Sequence, residues 1–220
     1  MSLGIDRFRR SRAAVLLPLA AAGLLALAGG CSSSPTAGLD TATTSIEETG
    51  RQIDVGISRM DEVMRVLAEM DVDADADVDL AATFKSYRSG IAALEKAAAS
   101  VRSRRAAMRA RTQDHIEAWR AQLAELGSET AREVSAARQA EFEATANNLE
   151  ASLDELADAY SALVTDLKDI EIVLANDLSR SGVQAARPLI REAIENAAEV
   201  RIRAGETNRV LTSARDEFSR

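Results

Sequence analysis

Apolar and small side chains recur in alternating steps of four and three along most of this chain. From residue 80 they fall at Leu80, Phe84, Tyr87, Ile91, Leu94, Ala98 and Val101. Beyond Gly127 they return at Phe142, Ala146, Leu149, Leu153, Leu156, Tyr160, Leu163, Leu167, Ile170 and Leu174. A sustained 4-3 alternation is the seam of helices that wrap around partners. The pattern predicts two long helices, 80–126 and 129–178, folded back on each other at Gly127-Ser128. The reversal can be checked within the sequence, because antiparallel layer partners keep a constant sum of residue numbers. Ile91 with Leu163, Leu94 with Tyr160, Ala98 with Leu156 and Val101 with Leu153 all add to 254. One flank of this hairpin sets Arg102 against Glu150 and Arg109 against Glu143. The other carries Thr83, Gly90, Ala97, Ser152 and Ala159, small enough for further helices to approach.

Two outer helices complete the pattern. The first is expected over 44–70, opened by a capping box of Thr44 or Ser45 with Glu47 or Glu48. Its seam is Ile46, Gly50, Ile53, Ile57, Met60, Met64 and Leu67. The last is expected over 183–218, with Ser181 as an opening cap and Pro188 as a kink, or with Pro188 itself as the first helical residue. Its seam runs Ile190, Ala193, Ala197, Val200, Ala204, Thr207, Leu211, Ala214 and Phe218. Aspartates at every second position from Asp71 to Asp79 interrupt the helical pattern, and Asp79 suits the N-cap of the helix that follows. They imitate the start of a calcium loop, but Ala76 stands where that loop needs glycine and Ala82 where it needs a bidentate glutamate. A solvated acidic connection is the better reading. The expectation is an all-α fold, an elongated antiparallel helical bundle or coiled coil of about four helices with a long central hairpin.

The first thirty residues change the picture from shape to place. Arg7, Arg9, Arg10 and Arg12 precede an apolar run, Ala13 to Ala28, that contains Pro18 and ends in small residues. This is the layout of a signal peptide, short and broken for a membrane span, with plain secretion or an uncleaved anchor as the alternatives to a lipoprotein. The stretch Ala28-Gly29-Gly30-Cys31 resembles the cleavage box of bacterial lipoproteins, with Leu27 one residue earlier than usual. By that resemblance Cys31 becomes the acylated first residue of the mature chain, where several acyl chains together give stable anchoring. Cys31 is also the only cysteine, so no intramolecular disulfide can form. Residues 31–43 then read as a polar tether, and 44–220 as one helical-bundle domain. Ser32 in place of aspartate implies, by the same resemblance, an outer-membrane protein of the cell envelope facing the periplasm.

Charge narrows the partners. The full chain carries −8, and loss of residues 1–30, with four arginines and one aspartate, leaves −11. An acidic surface argues against nucleic acid or anionic lipid headgroups as broad partners. The expected partners are the membrane, through the lipid anchor, and a second copy of the chain or another envelope protein. Candidate chemistry is sparse. His115 is the single histidine, so it has no second histidine or cysteine with which to ligate a metal. It reads as a packing residue beside Trp119. The helix 129–178 is rich in carboxylates, but the Glu-x-x-His pairs of di-iron bundles are missing. No phosphate-cradling glycine loop and no nucleophile–base arrangement appears. The reading therefore has no catalytic residue, no metal site and no cofactor, and the protein is not expected to be an enzyme. Two features remain as partner-binding candidates. One is the basic cluster that includes Arg102, Arg105 and Arg109, which either grips an anion or is neutralised by acids of the next helix. The other is Trp119, an interface anchor or a packing residue.

The order of features resembles one family. It comprises a glycine-containing first helix (Gly50-Arg51-Gln52-Ile53), an acidic connection before Leu80-Ala81-Ala82-Thr83-Phe84, and an acid–Trp stretch at Ile116-Glu117-Ala118-Trp119. An arginine-rich rise into the third helix and a break at Asn176-Asp177-Leu178 follow. Over roughly residues 45–215 this is similar to the bacterial envelope lipoproteins grouped as domain-of-unknown-function family 2959, although the alternating aspartates depart from it. The resemblance implies an envelope location and a helical fold, and carries over no functional residues. Residues and resemblance together lead to the expectation of a lipid-anchored structural or adaptor protein of the envelope. The alternative is a periplasmic module that binds an anionic glycan or lipid through the arginine cluster.

Overall fold

The computed structural model describes residues 35–72 and 79–218. The segment 1–30 expected to be a signal peptide, Cys31 as the expected acylation site and the start of the expected tether lie outside the described residues, as do the aspartate-run residues 73–78 that bear on calcium. Four helices account for the rest: α1 (Pro35–Val72), α2 (Leu80–Glu125), α3 (Glu129–Asn176) and α4 (Arg180–Phe218). They run up, down, up and down. Each packs against two neighbours in the cycle α1–α2–α3–α4, so the all-α antiparallel bundle is realised.

The seams that the 4-3 pattern marked form the core. Every expected seam position of α4 is buried, from Ile190 through Phe218. In α3 the leucines and Ile170 are buried, with Ala146 and Tyr160 at the edge. The hairpin register holds as well. Tyr87 Oη donates to the Leu167 carbonyl at 2.8 Å, Tyr160 Oη to the Leu94 carbonyl at 3.3 Å, and Trp119 Nε1 to Ser135 Oγ at 2.9 Å. All three pairs share the sum 254.

The small flank does what its volume suggests. Gly90 of α2 faces α1 so closely that a Cβ there would stand 2.8 Å from Val63 Cγ2. On α3, Ser152 Oγ lies 3.0 Å from the buried Thr207 Oγ1 of α4. The close pairs are thus α1 with α2 and α3 with α4, while α2 and α3 share the slimmest interface. α1 consequently buries a wider face than one seam: Thr49, Gly56, Val63 and Met70 join Ile53, Met60 and Leu67. Polar pairs fasten α1 to α4 along their outer edge, Asp54 with Asn208 at 3.0 Å, Asp61 with Arg201 at 2.6 Å and Asp71 with Arg187 at 2.7 Å.

Three local expectations need correction. The tether assigned to 31–43 is helical from Pro35, and α1 does not open at Thr44 or Ser45. Proline is pre-organised for the first helical position, and the buried stripe continues upstream to Ala42. Ser45 therefore sits inside the helix, where it accepts a hydrogen bond from Arg111. Second, α4 opens neither at Ser181 nor at Pro188. Ser179 is the cap, accepting from the Gly182 backbone N–H at 3.1 Å, and Pro188 lies within the helix. Third, Glu150 faces Arg105 and Arg109, not Arg102, while Glu143 takes Arg120 at 2.8 Å. Arginine side chains reach a full turn, so a residue-number match fixes backbone layers better than ion-pair partners. The caps Asp79 and Ser128 are as expected; Asp79 accepts from the N–H groups of Ala81 and Ala82 at 3.1 Å each.

Candidate binding surfaces

Arg102, Arg105 and Arg109 occupy one face of α2 at helical spacing, and the acids of α3 engage them unequally. Arg105 is mostly buried and is held from two sides, by Glu150 Oε2 at 2.7 Å and Asp154 Oδ1 at 2.6 Å. The hydrogen bond to Asp154, followed by that to Glu150, raises the Arg105 pKa against the effect of burial, and Arg105 in turn lowers that of Asp154. Arg109 shares Glu150 Oε2 at 2.6 Å, while Glu150 Oε1 is buried without a hydrogen-bond partner. Arg102 is exposed and has no carboxylate within ion-pair distance among the described residues. The neutralised reading of the cluster thus describes Arg105 and Arg109, and Arg102 is the cation left over.

Trp119 lies ten residues beyond Arg109 on α2, about 15 Å along the axis at 1.5 Å per residue. It belongs to a separate aromatic group. Its ring centroid is 5.6 Å from His115 and 6.0 Å from Phe142, and Phe142 stacks on Phe218 at 4.1 Å. His115 packs edge-on in this group, 5.1 Å from Phe142, with Nε2 buried and unpartnered. Burial lowers its pKa, since the charged ring would lose its hydration. This group lies at the last described turns of α4: Phe218 is level with Phe142, Arg138 still reaches Glu217 of α4 at 2.8 Å, and α3 runs on beyond that level to Glu129 beside α2. The arginines and the tryptophan are two places, not one.

A third place was not singled out by sequence reasoning. Where α2 and α3 stand apart, a groove of about 360 Å³ opens between them and α1. Its floor is apolar, with Ile57, Val101, Leu153 and Leu156, and its borders include Arg102 and Lys168. Lys168 is tied to Glu95 at 2.5 Å across the two helices. A signal was present: Ala98 occupies a seam position opposite Leu156, with Ala157 next to it, and a small residue in a leucine seam leaves space.

The geometry therefore defines an up-down-up-down four-helix bundle with an ion-paired arginine face and a side groove. No protein-family model, no curated protein and no solved structure matches the chain.

Proposed function

We propose that this is a lipid-anchored structural or adaptor protein of the bacterial cell envelope, without catalysis, held to a membrane through Cys31 and working as a rigid spacer. The observation that carries the reading is the length and bracing of the helices. α2 and α3 have 46 and 48 residues, about 70 Å each at the helical rise. Ion pairs and buried seams link every neighbouring pair of helices. The signal-like segment and the cysteine at its end support the anchoring.

The test follows the chain in a bacterial host that acylates lipoproteins. Metabolic labelling with a radiolabelled fatty acid and membrane flotation are compared for the native chain and Cys31→Ala. The expected result is label and flotation that both disappear in Cys31→Ala. An unlabelled native chain, or a variant that still floats with membranes, refutes the anchor. Light scattering on residues 33–220, a compact unit by themselves, then reports whether the spacer acts as a self-associating assembly or as a monomer that needs another partner.

A further inference from the structure

We propose that the groove between α1, α2 and α3 binds a single-chain anionic amphiphile, its acyl tail against Val101, Leu153 and Leu156 and its acidic head at Arg102. This goes beyond the spacer role and does not depend on the anchor.

Three observations converge on that chemistry. The volume, about 360 Å³, lies at the lower end of the roughly 300–1,000 Å³ of small-molecule sites, enough for one acyl chain of moderate length. The groove borders reach from Glu95 to Arg105 on α2, ten residues or about 15 Å at the helical rise. It is therefore long as well as narrow, the form of a chain and not of a compact ring. The floor is apolar and comes from three helices, with Ser161 and Thr165 on the α3 side, so a tail laid on the floor leaves water along its length.

The charges decide what the head must be. Around the groove, Lys168 is neutralised by Glu95, and Arg105 by Glu150 and Asp154. These pairs bridge α2 and α3 at either end of the opening and keep the gap from being closed or widened. Arg102 alone brings a charge that no described carboxylate answers, and it borders the groove directly. A carboxylate or phosphate at the end of an acyl chain supplies that answer while the tail fills the space. A cationic head would meet Arg102 repulsively. A sugar without an acyl chain would leave the apolar floor of Ile57, Val101, Leu153 and Leu156 exposed.

Ala98 lines the groove on α2 and Ala157 on α3. Leucine at either place is helix-compatible and fills the groove without touching the ion pairs. The test uses the full chain in native membranes with two photoreactive acyl probes, one ending in a carboxylate and one in a phosphate, and a neutral acyl alcohol as control. Adducts are mapped by peptide mass spectrometry. The expected result is anionic-probe adducts on peptides containing Val101 or Leu153. Ala98→Leu and Ala157→Leu should each lower them by about tenfold or more, and Arg102→Ala by about three- to fivefold, the size of one exposed charge contact. Whichever anionic probe labels more strongly identifies the head group. Adducts absent from those peptides in the native chain overturn the proposal, and so do adducts that persist in both leucine variants. Circular dichroism checks folding, and the leucine variants should melt at or above the native temperature because they fill space. Equal labelling by the neutral alcohol removes the role of Arg102.

Discussion

Tyr87 gives the sharpest test of how α2 is held to α3. The residue has no exposed surface, and its hydroxyl donates to the Leu167 carbonyl at 2.8 Å across the slim α2–α3 interface. Tyr87→Phe keeps the ring and its packing and removes one hydrogen bond. The Leu167 carbonyl is also within reach of its own helix ladder, so the loss is the net worth of a neutral bond, about 1 kcal/mol, or roughly 2–4 °C in Tm for a domain of this size. The sign reverses in alkali. Burial, first, and then the nearby Glu171 and Asp166 raise the Tyr87 pKa above its ordinary value. The unfolded chain therefore loses the phenolic proton first, and the stability this tyrosine contributes is full below about pH 10 and drains as pH rises past it. At about pH 11 the drain from one such tyrosine reaches about 1.4 kcal/mol, so it overtakes the hydrogen bond near about pH 10.6. Urea unfolding of residues 33–220 and of the variant, followed by circular dichroism across that range, should show the native chain more stable at neutral pH and the two curves crossing in alkali. Tyr160, the only other tyrosine, is raised by burial too and leaves a residual alkaline slope in the variant. Equal stability at neutral pH, or parallel alkaline slopes, would refute the role given to this hydroxyl.

His115 acts on the acid side. Its lowered pKa means that stability is full above the unfolded value of about 6.5 and is lost as pH falls from there toward the folded pKa; His115→Phe should flatten that part of a Tm–pH profile. Glycine positions separate by what surrounds them. Gly50→Ala meets only ordinary contacts, the nearest at 3.7 Å, and should stabilise by about 0.5–1 kcal/mol in urea unfolding. Gly182→Ala would put a Cβ 2.0 Å from the Asp177 carbonyl oxygen, and overpacking against backbone should cost about 2–3 kcal/mol and open the α3–α4 turn to protease. Glu150→Ala removes an acceptor shared by Arg105 and Arg109 and should cost about 1–2 kcal/mol, less at high salt, by denaturant titration at two ionic strengths.

Helix class, order and antiparallel register were legible because they depend on periodicity alone. The sum shared by Leu94 with Tyr160 reappears as a hydrogen bond between them. What periodicity does not carry is distance between helices. The 4-3 pattern marks α2 and α3 as partners, yet the closest approaches are α1 to α2 and α3 to α4, because interaxial distance follows side-chain size at the contact. Gly90 against Val63 and Ser152 against Thr207 are the residues that set it. The start of α1 was missed for a related reason. The Thr44–Glu47 box is a local signal, and burial of Ala42 and Ser45 against the bundle outweighs it. At the arginine cluster, the residue types showed that acids would answer bases. They did not show that, of Arg102, Arg105 and Arg109, Arg102 would have no carboxylate, since that depends on which rotamers reach Glu150 and Asp154.

The groove is a consequence of that same difference in side-chain size. Two tight helix pairs, each zipped by small residues, can meet along α2 and α3 only at the spacing their larger side chains allow. Where the seam offers Tyr87 opposite Leu167 that spacing is filled, and where it offers Ala98 opposite Leu156 it is not. Closing the gap would require the helices to approach, but Tyr87 fills the interface on one side and the Arg105–Glu150–Asp154 contacts bridge it on the other. The vacancy is therefore held open by well-packed neighbours and does not signal a loose bundle. Space maintained in this way can be filled by a leucine without disturbing the fold, which is why stability and ligand capture should move in opposite directions in Ala98→Leu.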